Sequence, residues 1–155
     1  MEYNYNKSFR AGDVQQMTIA VIDGIGGGIG AQIVERLRRE GMRDVSILAL
    51  GANAVATQRM VDAGADKGAS GENAIRVSVA SADYILGPIG IVLPNAMMGE
   101  ITPRIAEAVF GAKAKKLLLP LSQPHVVIVG MTQKNVNDLI SDAIAVLKKS
   151  LSESN

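Results

Sequence analysis

The chain has 155 residues, 48% apolar and 20% charged, a length and balance suited to one globular domain with a single core. It has no cysteine and one histidine, which excludes disulfides, thiolate nucleophiles and a zinc site. Sixteen basic and fifteen acidic residues leave a net charge of +1, so charge gives no reason to expect nucleic acid or an anionic membrane as partner.

Residues 1–16 are polar and aperiodic, the pattern of a flexible tail or of an arm that packs on a partner. They lack the apolar core of a signal peptide. No apolar run approaches the roughly 20 residues of a membrane helix, so a cytoplasmic protein with one domain over 17–155 is expected. Ile19, Val21 and Ile22 predict a buried strand over 18–23. Five glycines then fall within seven positions, and Ile33, Val34 and Leu37 recur at helical spacing over 28–40, closed by Gly41. Val45 to Leu50 reads as a second buried strand ending in Gly51-Ala52-Asn53, and 54–63 as a helix with Val55, Met60 and Val61 inward.

Residues 64–82 support two readings. Ile75, Val77 and Val79 alternate as in a strand, whereas Ser70 can cap a short helix with Ala74, Ile75, Val79 and Ala82 on one face. The helix, after a very short strand, is preferred because a parallel strand at 83–87 needs a crossover before it. Thr102-Pro103 marks a helix start running to Phe110. Residues 116–121 read as a strand, Ser122 to His125 as a turn with an exposed histidine, and Val126 to Gly130 as a further strand, its antiparallel pairing left open. The last helix, 135–151, carries Val136, Leu139, Ile140, Ala143, Ile144, Leu147 and Leu151 on one side.

This alternation predicts a three-layer, doubly wound α/β fold with a mostly parallel sheet and ligands beyond the carboxyl ends of its strands. It sets the loop after the first strand beside a second loop, Gly87-Pro88-Ile89-Gly90, across one crevice. Strand, glycine turn and helix together offer backbone N–H groups and a helix N-terminus to a phosphate. A turn alone needs one or two glycines, so Gly24, Gly26, Gly27, Gly28, Ile29 and Gly30 are the candidate binding loop.

Spacing narrows the chemistry. A P-loop needs a lysine after its last glycine, where this chain has Ala31. The Gly-x-Gly-x-x-Gly fingerprint is met at Gly24 and Gly26 but not at Ile29. The looser Gly-x-x-x-Gly-x-Gly of short-chain dehydrogenases fits Gly24, Gly28 and Gly30, which makes NAD(P) the first expected cofactor. Beyond the glycine loop that family's Tyr-x-x-x-Lys is absent, since Pro88 stands four places after Tyr84. The acid that would hold a ribose after the second strand is replaced by Gly51, Ala52 and Asn53. Asn53 remains a candidate for the ribose and Arg59 for a 2′-phosphate. Asp23 would repel a bare phosphate unless Mg²⁺ intervenes or the carboxylate accepts bonds from the loop amides and shapes the turn; the second role is preferred.

Several motifs together, Val21-Ile22-Asp23-Gly24-x-Gly26-Gly27-Gly28-Ile29-Gly30, Ala49-Leu50-Gly51-x-Asn53, Gly71-Glu72-Asn73-Ala74-Ile75, Gly87-Pro88-Ile89-Gly90-Ile91 and Gly99-Glu100-Ile101-Thr102-Pro103, resemble a family of short bacterial proteins catalogued as a domain of unknown function. The resemblance covers about residues 18–147 and implies a Rossmann-like fold and a bacterial cytoplasmic origin, without an activity. A weaker likeness, to the nucleotide-binding half of the tubulin and FtsZ superfamily, lacks the Gly-Gly-Gly-Thr-Gly signature at Gly87-Pro88-Ile89-Gly90.

Glu72 and Asn73 either bind a ribose or base or cap a helix. Asn95 and Glu100 lie near the crevice, where Glu100 suits the dipole of the helix opened by Thr102-Pro103. Asp23, Glu72 and Glu100 are the acids to mutate first, with no metal site expected. The expected function is binding of a nucleotide or dinucleotide at the glycine loop, with Asn53, Glu72, Asn73, Gly87, Pro88 and Gly90 completing the site. The alternatives are a non-catalytic regulatory or assembly module of tubulin-like layout and a structural subunit whose loop is empty. The small size and the apolar C-terminal helix leave room for a homo-oligomer.

Overall fold

Near-continuous apolar runs build the central strands of the sheet, which are covered on both faces and send alternate side chains to opposite core layers. In the computed structural model, which describes residues 16–154, β1 (Thr18–Asp23) sends Ile19 and Val21 into one core layer and Ala20 and Ile22 into the other. The same division holds for β2 (Ser46–Gly51), with Ile47 and Ala49 opposed to Leu50, and for β4 (Tyr84–Pro88), with Tyr84 and Leu86 opposed to Ile85. With β3 (Lys67–Ser70) and β5 (Lys115–Leu119) they form a five-stranded parallel sheet of order β3-β2-β1-β4-β5. The expected doubly wound, Rossmann-like α/β architecture is present, with every strand pair parallel.

One face is covered by α1 (Gly28–Arg39), α2 (Ala54–Asp62) and α5 (Val136–Glu153), which bring Ile33, Leu37, Met60, Ile140, Ile144 and Leu147 to the core. The other is covered by α3 (Glu72–Ser78) and α4 (Pro103–Gly111), through Ile75, Ile105 and Val109. The chain changes face between β3 and β4, so the neighbours β1 and β4 mark the switch point at which such sheets place ligands. Register aligns Asp23 with Gly51 and Gly51 with Ser70 along the carboxyl edge.

Five expectations need correction or placing. The ambiguous stretch is β3 followed by α3: Ile75 and Val79, four apart, are buried, and Val77 is exposed. Val55 is also exposed, because the inward stripe of α2 runs through Ala56, Thr57 and Met60. Gly87 and Pro88 belong to β4 rather than to a loop. Residues 126–130 form no strand; a single antiparallel bridge joins Gln123 and Val126, and the apolar residues beyond it are exposed. The tail expected over 1–16 lies, but for Gln16, outside the described residues. No helix among the described residues is long and apolar enough to cross a membrane.

Candidate functional site

The five glycines from the end of β1 into the first turn of α1 divide into two sets by what a side chain would meet. At Gly24 a Cβ would lie 2.9 Å from both Glu100 Oε2 and Met97 Sδ. At Gly27, which has φ +69°, it would lie 2.6 Å from the backbone of Ala56, and at Gly30 it would collide with Met60 Sδ. A side chain at any of these three would displace a neighbour, and at Gly27 that neighbour is backbone. Gly26 and Gly28 differ: neither has a positive φ, and the nearest atom to a Cβ is Nη1 of Arg59, at 3.8 and 3.5 Å.

The amides divide in the same way. Asp23, 4% exposed, accepts Gly24 N–H at 2.8 Å and Gly30 N–H at 2.7 Å. It thereby caps the first turn of α1 from inside, which supports the turn-shaping role over a metal-bridged one. Burial raises its pKa above the ordinary carboxylate value; the amides of Gly30, Gly24 and Ile29 pull it down, and the nearby Glu100 charge adds to the rise. Gly27 N–H is turned back onto Gly24 C=O at 2.9 Å. The N–H groups of Gly26 and Gly28 have no acceptor among the described residues. Gly27 precedes α1 without a side-chain cap and no acid occupies the first turn, so Asp23, reaching Gly30 N–H from the end of β1, is the carboxylate at that helix end.

Glu100 is brought in from the other side of the switch point. Its Oε2 accepts Ile25 N–H at 3.0 Å and the Asn53 amide at 2.9 Å, and Asn53 also donates to Ile25 C=O at 2.9 Å. The carboxylate is thus spent on the glycine loop rather than on the dipole of α4. It is held there by a left-handed stretch between β4 and α4, with φ of 65° at Asn95, 55° at Met97, 56° at Met98 and 88° at Gly99. Non-glycine residues pay about 1–2 kcal/mol each for that conformation, and such backbone gathers at ligand clamps and switches. Ile25, β-branched with φ 51°, is a further outlier within the loop itself.

The other candidates are placed as follows. Asn53 is fully engaged, since its Oδ1 caps α2 through Ala56 N–H at 2.8 Å, leaving no free group for a ribose. Glu72 opens α3 and accepts Thr102 Oγ1–H at 2.6 Å; Thr102 in turn caps α4 through Ile105 N–H. Asn73 is exposed on α3. Gly87 and Pro88 are buried in β4, where a Cβ on Gly87 would strike Ile22 C=O. Gly90 is packed by Ala96, Met97 and Gln123 at about the same distance, 3.5 Å. Met97 stands between Gly24 and Gly90, and Glu100 beside it between Ile25 and Asn53. Sequence placed Glu100 near the crevice but not its bond to Ile25, 75 residues away. Arg59 is the residue whose position matters most: from α2 it reaches Gly26 C=O at 3.2 Å and stands over the two glycines that packing does not demand.

A family model described as Domain of unknown function (DUF3842) matches residues 18–152, from the start of β1 to the last turn of α5. The chain belongs to this family. The match takes in the glycine loop, Asn53, Arg59 and the Glu100 segment together, so the site lies wholly within the family domain. No curated protein matches the chain.

Proposed function

We propose that the protein binds a phosphate-bearing nucleotide through the outer half of its glycine loop, the Gly26 and Gly28 amides and the Arg59 guanidinium receiving the phosphate. One observation carries this reading: the two glycines that the fold does not need are the two whose amides are unengaged, and a cation stands beside both. Omitting a Cβ where no neighbour forbids it keeps the backbone open to close approach. Two amides at the entry to α1 and a guanidinium suit a phosphate oxyanion.

The inner half supports a boundary on the ligand. Asp23 and Glu100 already engage Gly24, Gly30 and Ile25. A dinucleotide laid across the crevice would therefore have to displace Met97 and Glu100, whereas a single phosphate group at the outer half would not. Among dinucleotides, NADP is favoured over NAD: Arg59 is available to a 2′-phosphate, but Asn53 is not available to a ribose hydroxyl. Asp23, Glu72 and Glu100 each accept hydrogen bonds from the protein itself, which supports a binding role over general acid–base work at these carboxylates.

Thermal-shift titration with ATP, NADP, NAD and inorganic phosphate tests the reading, because a ligand bound only by the folded state raises the melting temperature by mass action. A shift is expected with ATP or NADP, smaller with NAD. Arg59→Ala should weaken the phosphate ligand on the order of 10- to 100-fold, the range for one charge-assisted hydrogen-bonding group. No shift with any of them, or an undiminished shift in Arg59→Ala, would leave the loop as a turn satisfied by its own carboxylates.

A further inference from the structure

The inner half of the glycine loop already holds an anion, and it is the protein's own. Glu100 Oε2 accepts Ile25 N–H at 3.0 Å and an Asn53 Nδ2–H at 2.9 Å, and its Oε1 accepts from Asn53 at 3.2 Å. These donors are all neutral. Among the described residues no lysine or arginine pairs with Glu100. The charge it does meet is a like one, since Asp23 at the end of β1 feels the Glu100 carboxylate. The segment that delivers it is strained at Asn95, Met97 and Met98, and Met98, 96% exposed, gains no burial in return. A glutamine could accept from Ile25 and Asn53 without setting a second negative charge near Asp23. Hydrogen bonding therefore accounts for where Glu100 lies but not for its charge.

That charge opposes Arg59 across the loop. Arg59 stands beside Gly26 and Gly28, and Glu100 beside Gly24 and Ile25. The amides of Ile25 and Gly26 are consecutive, so an anion on the first limits what can lie on the second. Resting on the phosphate reading above, we propose that Glu100 is a specificity residue: it occupies the position a second, bridging phosphate would need, and so restricts the loop to a terminal phosphate. A terminal phosphate enters end-on at Gly26 and Gly28, with its ester oxygen leading away from Glu100. A diphosphate esterified at both ends has no free end to offer. Its two phosphates must lie along the loop, and the second meets the carboxylate on Ile25 N–H, a like-charge contact of the kind that rejects wrong partners. The ligand class is thus one that ends in phosphate, such as a nucleoside triphosphate or the 2′-phosphate of NADP, and not NAD.

Titration calorimetry with ATP, NADP and NAD on the wild type, Glu100→Gln and Glu100→Ala tests this. Glu100→Gln keeps an acceptor for Ile25 and removes the charge; Glu100→Ala vacates the position. NAD affinity is expected to rise about 10-fold or more in Glu100→Ala and by a smaller factor in Glu100→Gln, with ATP and NADP gaining less than NAD in both. Equal changes for all three ligands, or no gain for NAD in either variant, would overturn the proposal while leaving phosphate binding intact. Should Glu100→Ala not fold, Glu100→Gln decides alone. A wild type that binds neither ATP nor NADP would instead remove the phosphate reading, and the proposal with it.

Discussion

The two halves of the glycine loop are neighbours in sequence and opposites in chemistry. At Gly24, Gly27 and Gly30 the missing side chains make room for Glu100, Met97, Ala56 and Met60, and Asp23 and Glu100 take the amides around them. At Gly26 and Gly28 the missing side chains make room for nothing in the protein, and the amides face no acceptor within it. A glycine-rich turn is therefore not one signal. Some of its glycines are consequences of helix, strand and loop meeting closely; only the remainder speak of a ligand.

Substitution separates the halves. The largest effect is expected from Gly27→Ala, where a backbone clash and a left-handed φ combine to cost about 2–4 kcal/mol, measurable as a lowered urea midpoint. Gly26→Ala, one residue away, should change stability by less than about 0.5 kcal/mol, yet weaken phosphate binding in titration calorimetry. Equal stability losses at both positions would erase the division.

A smaller effect sharpens the inner half. Asp23 is held above its ordinary pKa mainly by burial, so the folded chain binds this proton more tightly than the unfolded chain. Its contribution is complete below the ordinary carboxylate value and is lost as pH rises through the raised one. The stability of the wild type relative to Asp23→Asn should accordingly fall with rising pH across that window, read by denaturant melts at a series of pH values. Comparison with the variant cancels Glu40 and Asp66. Lysine and arginine partners lower the pKa of Glu40, and the pKa of Asp66 is lowered against its burial, so their contributions run the other way with pH. A relative stability that climbs with pH would mean that the amides of Gly24 and Gly30 outweigh burial.

Much of the fold was legible because each element repeats its own period. The first strand and helix, the cap at Thr102-Pro103 and the stripe of α5 all lie where the pattern puts them. Residues 75–79 satisfied both periods; the crossover needed before the 83–87 strand favoured the helix, and the burial of Ile75 and Val79 against the sheet bears it out. Val126 to Val129 has the residues of a strand, but composition cannot say whether an edge is there to receive it. In the site, the turn-shaping role of Asp23 could be read from its place at the strand end. The capture of Asn53 by α2 and of Ile25 by Glu100 could not, because both depend on how distant loops meet.

The most direct test is an amide-resolved ¹⁵N–¹H NMR titration with ATP. Movement of the Gly26 and Gly28 resonances, with Gly24 and Gly30 held still by Asp23, is the expected result. Movement centred on Gly24 and Gly30, or a loop that ignores the ligand while other amides respond, would contradict it.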